Sequence, residues 1–253
     1  MKNVGIAIID VYEQDNLNSC YDSIPEGTEN VIVVSNTRNK LPDCQRHQYT
    51  GSVPFATLRN HALHHFRING LTDYFLINSN QVVTDSQIFE KTIHISNVFG
   101  VKFFCGPTES KTVIEDDENN VNLNLSEKIN SDFIYLSDDV VSKIGFFDDR
   151  FFNTKSLDVL DYIMRLRKEK LYTPTGFVTY IPEGLNTTMG SIQKPLYKEL
   201  DNDPDQSINM SYGYFFTQYN YIPTQNDPPS ASNDELMSTL EYLQKNYSKN
   251  HEK

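Results

Sequence analysis

The chain has no tryptophan, only three cysteines, and 22 basic residues against 34 acidic ones, a formal net charge of -12. Each shortage excludes something. Nucleic-acid binders draw most of their affinity from lysine and arginine, so so acidic a chain does not carry a broad phosphate-tracking surface. Cys20, Cys44 and Cys105 are an odd number without metal-type spacing, which predicts reduced thiols in a cytoplasmic protein rather than a disulfide framework. No apolar run approaches the length of about 20 residues needed to cross a bilayer. The opening "MKNVGIAIIDVY" is interrupted by Asp10 and lacks a small-residue cleavage site, so a buried strand fits it better than a leader. No G-x-S-x-G, P-loop or G-x-G-x-x-G is present.

What is present is a core. Hydrophobic residues make up 38% of the chain, with 15 Phe and 15 Tyr. Val4–Val11, Asn30–Asn36 and Asp73–Ile77 are short, nearly continuous apolar runs, as expected of strands covered on both faces. Between them, Leu17, Cys20, Tyr21 and Ile24 have helical spacing, and Phe55–Ile68 reads as a helix closed by Asn69-Gly70. Thr84 and Asp85 offer cap chemistry for a further helix. This alternation predicts an α/β fold, an open sheet with parallel central strands.

Further along, "VKFFCG" and "SDFIYLS" are strand candidates. "DDVVSKIG" is a short helix ended by Gly145, and "SLDVLDYIMRLRKEKL" an amphipathic helix with Leu160, Ile163, Met164 and Leu171 inward. The stretch between the two strands loses periodicity and reads as a surface excursion or hairpin. Its acidic run, Glu115 to Glu118, reads as a solvated loop in preference to a cation site, and Arg165–Lys170 as the solvated face of a helix. "TPTGFVTYIPEG" supplies one more strand. "DNDPDQ" and "PTQNDPPSASND" are linkers flanking an aromatic-rich helix. A terminal amphipathic helix carries Leu236, Leu240 and Leu243; its apolar face either docks a second copy of the chain or packs on its own body. Residues 1–180 are read as the main domain and 181–253 as an extension.

Open α/β sheets bind ligands beyond the carboxyl ends of their strands. Asp10 to Glu13, Ser35-Asn36 and Asn78-Ser79-Asn80 all fall at such ends. His61 and His65 stand i, i+4 on one helix, a spacing that can bind metal. No glutamate follows His61 as a metalloprotease motif requires, and packing is the simpler account.

The order of these segments resembles the inverting glycosyltransferases of the GT-A fold, family 2 type, over roughly residues 3 to 180. "IAIIDVYEQDNLNSCYDSI" looks like their I-I-P-V-Y-N strand and L-x-x-C-L-x-S-I helix, "NVIVVSN" like I-I-V-V-D-D, and "LRNHAL" like A-R-N-x-G-L. "YFLINSNQVVTDSQIFE" is similar to L-L-L-N-N-D-V-x-V-T. "VVSKIGFFDDRFFNTKSLDVLDYIMRLRKEKL" resembles V-x-x-I-G-x-F-D-E-R-F-F followed by E-D-x-D and an arginine helix. "YGYFFTQYNYIP" is similar to a Tyr/Phe-rich C-terminal segment of some members.

The resemblance implies transfer of a sugar from a nucleotide sugar, UDP-linked, to an acceptor hydroxyl on a glycan, a protein or, less in keeping with the charge, a nucleic acid. A carboxylate base takes the acceptor proton, and Mn²⁺ or Mg²⁺ ordinarily steadies the departing diphosphate. Val11, Tyr12, Ser35, Asn36, Arg59, Asn60, Asn78, Ser79 and Asn80 would line the donor. Ser35 and Asn36 stand where two aspartates are common, Tyr12 is a stacking platform or a rim aromatic, and Arg59-Asn60 lines the pocket or braces its helix. Asn80 falls on the metal-binding aspartate. "NSN" therefore holds a cation weakly, contacts phosphate or ribose through amides without metal, or is an ordinary polar turn. Asp158 is the favoured base and Asp161 the reserve. Counting back from Arg165 puts Val159 on the catalytic aspartate, whereas a one-residue shift puts Asp158 there; Asp158 is also a plain first-turn helix acid. Asp148 and Asp149 lie on the acceptor side. The substituted acids leave a rival: a binding or interaction protein derived from such an enzyme that no longer turns over.

Overall fold

A computed structural model of the protein describes residues 3–11, 16–36, 45–49, 53–106, 111–116, 121–125, 131–151, 157–169, 185–187, 204–221 and 233–251. Strand β1 (Val4–Asp10) is buried at all seven positions. The cause is a helix on each face. Ile6 and Ile8 pack with Leu17 and Cys20 of α1 (Asn16–Ser23). Ala7, Ile9 and Val11 point the other way, onto Phe55, Leu58, Ala62, Leu63 and Phe66 of α2 (Phe55–Ile68). Period-2 alternation along one strand thus feeds two cores.

Beside β1 lie β2 (Val31–Ser35) and β4 (Asp73–Asn78), both parallel to it, and β3 (Gln45–Gln48) pairs parallel with β2. The sheet continues through β9 (Phe133–Ser137) to β6 (Phe103–Gly106), in the order β3-β2-β1-β4-β9-β6. Strand β9 runs antiparallel to both its neighbours. The chain moves outward from β1 to β3 and then returns, through α2, to the other side of β1. The direction of winding reverses between β1 and β4, and such a switch point opens a crevice beyond the strand ends. The mostly parallel α/β sheet agrees with the sequence reading; the antiparallel β9 was not foreseen.

Helix α3 (Ile88–Phe99) covers the first core and α4 (Asp138–Ile144) follows β9. Helix α5 (Leu157–Lys168) covers the second core with Val159, Tyr162, Ile163 and Leu166. Helix α6 (Pro204–Tyr219) packs on α5 through Phe215, which meets Leu157, Leu160 and Phe151. The last helix, α7 (Asn233–His251), packs on α3 of its own chain: Leu243 is buried, Tyr247 stacks on Phe99 at 5.3 Å, and Asn246 Nδ2 donates to Phe99 O at 3.0 Å. Among the described residues no helix is long and apolar enough to cross a membrane.

Several local readings change. Gln45–Gln48, within a polar segment, is an edge strand whose sequence lacks an apolar run because only β2 pairs with it. The aperiodic stretch forms the hairpin β7 (Lys111–Asp116) and β8 (Val121–Leu125), so Glu115 and Asp116 lie on a strand. Helix α3 begins at Ile88, because Asp85 Oδ1 accepts from Gln87 N at 2.9 Å and holds the turn before it. Strand β5 (Gln81–Val83) pairs antiparallel with β10 (Leu185–Thr187). Pro204, read as linker, opens α6, where its missing N–H costs nothing. The strand expected within 173–184, Leu171, Cys44 and Leu236's side chain lie outside the described residues.

Two glycines have structural work. Gly145 ends α4 at φ +88, a region that side chains avoid. A Cβ on Gly5 would lie 2.6 Å from the Phe66 ring. Gly5→Ala should therefore destabilise the fold by about 1–3 kcal/mol, the usual cost of overpacking a core, read as a lower urea midpoint at unchanged slope.

Edge strand β3 is tied to α2 by imidazoles. The His47 ring centroid lies 4.3 Å from that of His61 and 5.3 Å from that of His65, and Tyr49 Oη is 2.5 Å from His61 Nδ1. Burial, and then the neighbouring His47, pushes both His61 and His65 below the ordinary imidazole value. The unfolded chain then takes up protons that the folded one resists. Stability is complete above about pH 6.5 and declines as pH falls below it. The urea midpoint should drop between pH 7.5 and 5.5, and His61→Phe should shrink that drop.

Candidate functional site

The crevice floor is built by strand ends. Asp10 closes β1 fully buried, and its Oδ2 accepts from Ser35 Oγ at 2.8 Å across the β1/β2 register. Asn36 N donates to Asp10 O at 3.1 Å, and Ser79 N donates to Ile9 O at 3.0 Å. Val11, Ser35, Asn36, Asn78 and Ser79 are all buried; Asn80 is half-buried. Cys20, beneath them, donates weakly to Asn78 O at 3.9 Å. Burial, and then the Asp10 charge, pushes its thiol up to about 12, so it stays protonated. Tyr12 lies outside the described residues.

Because β9 is antiparallel, its first residues reach the same edge. Asn78 N donates to Asp132 O at 2.8 Å and Asn78 Nδ2 to Asp132 Oδ1 at 2.7 Å. Asp132 thus brings a carboxylate beside the "NSN" triplet. Its only signal in the sequence is an acid directly before a strand, which means little until the strand's direction is known. Asn80 Oδ1 accepts from Gln81 Nε2 at 3.2 Å.

This donor set does not fit a protein-built cation site. The Asn78 amide nitrogen is turned to Asp132, and the Asn80 oxygen already accepts a hydrogen bond from Gln81. Among the described residues no three His, Cys, Asp or Glu side chains are grouped to hold a metal ion.

On one face of the sheet, α2 and α5 are locked together by charge. The buried positions of α2 are Phe55, Ala56, Leu58, Arg59, Ala62, Leu63 and Phe66. Arg59 occupies a slot on an otherwise apolar stripe, so its guanidinium must find a partner inside. It forms an ion pair with Asp158, in the first turn of α5, and both side chains are buried. Arg59 Nη2 also donates to Ser131 O at 3.4 Å, and Phe55 and Phe147 flank the guanidinium carbon at 5.3 and 5.6 Å. Burial pushes the Asp158 carboxyl above its ordinary value, and Arg59 opposes this. The neighbouring Asn60 clamps backbone: its Nδ2 donates to Phe147 O at 2.8 Å and its Oδ1 accepts from Phe147 N at 2.9 Å. The Arg59-Asn60 pair is thus engaged in bracing α2 against α5 and the loop before it.

One turn beyond Asp158, Asp161 faces a different space. Its Oδ2 accepts from Arg165 Nε at 2.9 Å, and its Oδ1 accepts from Tyr219 Oη at 2.5 Å. Burial pushes its carboxyl up, and Arg165 and then Tyr219 pull it down. Asp161 lines a cleft of about 980 Å³ between α5, α6 and the loop 146–150. Asp148 and Asp149 lie in the same wall, with Asp148 bound by Arg150 at 2.6 Å and by Tyr214 Oη at 3.1 Å. Tyr219, like Asp132, carries little signal of its own in the sequence, only the aromatic density of α6. The candidates therefore divide into the strand-end crevice, the buried Arg59–Asp158 brace and the α5/α6 cleft.

No protein-family model matches the chain, and no curated protein matches it. Solved structures do resemble it in the course of the chain. S. aureus TarS, residues 1–349, is 12% identical at a TM-score of 0.46, covering 85% of this chain and 72% of that one. The mannosyltransferase PcManGT of Pyrobaculum calidifontis, in complex with GDP-Man and Mn²⁺, is 11% identical at a TM-score of 0.47, covering 95% and 68%. A cytidylyltransferase of Leptospira borgpetersenii is 11% identical at 0.42, covering 97% and 95%. At such scores the likeness carries no argument about activity.

The Arg59–Asp158 pair has a definite mutational signature. Arg59→Met leaves a buried carboxylate without its counter-charge and should cost about 3–5 kcal/mol in chemical denaturation. The double variant Arg59→Met/Asp158→Leu removes both charges and should recover most of that loss.

Proposed function

We propose that this chain is a nucleotide-sugar glycosyltransferase whose donor occupies the crevice beyond β1 and β4. The observation that carries the reading is the switch point itself: Asp10-Val11, Ser35-Asn36 and Asn78-Asn80 come from three strands and meet where winding reverses. The sequence resemblance to family 2 glycosyltransferases of the GT-A fold adds the chemistry, a UDP-linked donor and inversion. Ser35 and Asn36 contact base and ribose, and Asn80 meets the diphosphate through its amide. Among the described residues the strand-end side chains form no cation site, and amide contacts hold the diphosphate without Mn²⁺ or Mg²⁺.

In an inverting transfer the acceptor oxygen attacks the anomeric carbon from the face opposite the diphosphate. The new C–O bond forms as the bond to diphosphate breaks, and the nucleotide leaves with the electron pair. The acceptor proton passes to a carboxylate. Asp161 takes this role, because it lines an open cleft and burial raises its basicity. Asp158, enclosed with Arg59, positions α5 and acts through it. Asp148 and Asp149 orient the acceptor.

A second reading is a nucleotide-sugar binder without turnover. It is favoured by the commitment of Asp158 to Arg59 and by the amides at 78 and 80. Thermal denaturation against a panel of nucleotide sugars, with and without Mn²⁺, tests donor binding. A UDP-sugar at about a hundred times its dissociation constant should stabilise by roughly 2.7 kcal/mol, and equally without the metal. A shift seen only with Mn²⁺ would restore a metal role for Asn80, and no shift with any donor would remove the assignment. Among enzymes that bind, Asp161→Asn should lower kcat by about 10²–10⁴ with the thermal shift kept. Binding without release of nucleotide in the unmutated protein would select the second reading.

A further inference from the structure

Edge strand β3 supports one side of the strand-end crevice. It pairs only with β2, with Gln48 opposite Ser35, and just past it Tyr49 N donates to Ser35 O at 2.8 Å. Ser35 is therefore held from both sides, by Tyr49 and by Asp10, whose Oδ2 accepts from Ser35 Oγ at 2.8 Å. Asn36 follows directly, with its N–H on Asp10 O. The two residues that β2 brings to the crevice thus have β3 as their outer support.

A cluster of rings ties β3 to α2. His47 of β3 lies against His61 and His65, which stand one turn apart on α2, and Tyr49 meets His61 edge-on at 5.5 Å between centroids. His47 Nε2 is buried without a hydrogen-bond partner among the described residues. Burial keeps the Tyr49 phenol protonated, and its O–H donates to His61 Nδ1 while that nitrogen is bare. The groups that act on the two α2 rings are all imidazoles: His47, His65 and His64 on His61, and His47 on His65. The other cations of α2 are engaged elsewhere, Arg59 with Asp158 and Arg67 with Asp138, and β2 contributes no ionisable side chain. No carboxylate is among the described groups that act on either ring.

A proton arriving here therefore meets burial and like charge, with no acid to receive it. Burial is the larger obstacle for both His61 and His65, and it is relieved when β3 departs and water reaches the rings. In the closed form the two rings stay neutral; in an open form they return to about 6.5. Above that pH the clasp is complete. Below it, each ring favours the open form by up to about tenfold per pH unit.

We propose that β3 is an acid-released clasp on the crevice: protons taken up by His61 and His65 detach β3 from α2 and β2, and Ser35 and Asn36 lose their outer support. Histidine is the side chain suited to such a switch near neutral pH. The release of β3 rests on the ring cluster alone. Only its consequence, weaker donor binding in mild acid, rests on the transfer reading.

The test is hydrogen exchange of the full chain at pH 7.5 and 5.5, corrected for the intrinsic effect of pH on amide exchange. Amides of 46–49 should lose protection by about tenfold or more at pH 5.5, while 6–9 and 75–77 at the sheet centre keep theirs. The double variant His61→Phe/His65→Phe should hold β3 closed at both pH values, with an unchanged melting temperature at pH 7.5 as the check on folding. Should that variant fail to fold, His65→Gln, at a half-buried position, should remove part of the loss. Protection of β3 that ignores pH, loss shared equally by the whole sheet, or loss undiminished in the variants would overturn the proposal. The affinity for UDP-glucose, whose diphosphate keeps its charge over this range, is measured on the same samples. It should fall at least threefold at pH 5.5 in the unmutated chain and hold in the double variant. Affinity indifferent to pH while β3 opens would overturn the link to the crevice. No binding at either pH, with β3 opening as expected, defeats the donor reading and leaves the clasp standing.

Discussion

The buried pair of Arg59 and Asp158 is the interaction on which the rest of the site depends. A guanidinium on the apolar stripe of α2 is buried away from water, so the fold must bring a counter-charge to it. That acid stands in the first turn of α5, 99 residues further along the chain. The pair therefore fixes the register of α5 against α2, and α2 is the crossover that creates the switch point. Asn60 extends the lock by one residue, gripping both backbone groups of Phe147.

From that lock the two candidate sites follow. On the sheet side, parallel β1, β2 and β4 end in Asp10, Ser35 and Asn78, and antiparallel β9 adds Asp132 from the opposite direction. On the outer side, the rotation of α5 by one turn carries the chain from buried Asp158 to cleft-lining Asp161, where Tyr219 of α6 joins it. Helix α6 is held there by Phe215 beneath and by Tyr214 on Asp148. The aromatic-rich C-terminal segment thus forms one wall of a cleft instead of simply covering the core.

Much of this was legible in the residues. Continuous apolar runs marked β1, β2 and β4, and the spacing of Phe55 to Ile68 gave α2 its observed ends. The strand-end candidates lie together at one crevice because parallel strands end on one edge. What local pattern could not carry was direction and pairing across the sheet. "SDFIYLS" reads as a strand either way, and only its antiparallel pairing with β4 brings Asp132 to Asn78. Edge strand β3, "QRHQ", was hidden for the related reason that pairing on one side demands no apolar run. The inward turn of Arg59 is written in the i, i+3, i+4 stripe around it, but its partner is not, since nothing local links position 59 to position 158.

The central claim is that nucleotide binds at the β1/β4 switch point, and hydrogen exchange with and without UDP tests it most directly. The amides of Asn36 and Ser79 already donate to the β1 backbone at the crevice floor, and a ligand seated over them suppresses the opening that exchange requires. At saturating UDP, segments spanning 9–11, 34–36 and 77–81 should gain protection while the α5/α6 cleft is unchanged. Protection confined to the cleft, or no change at the strand ends, would contradict the account.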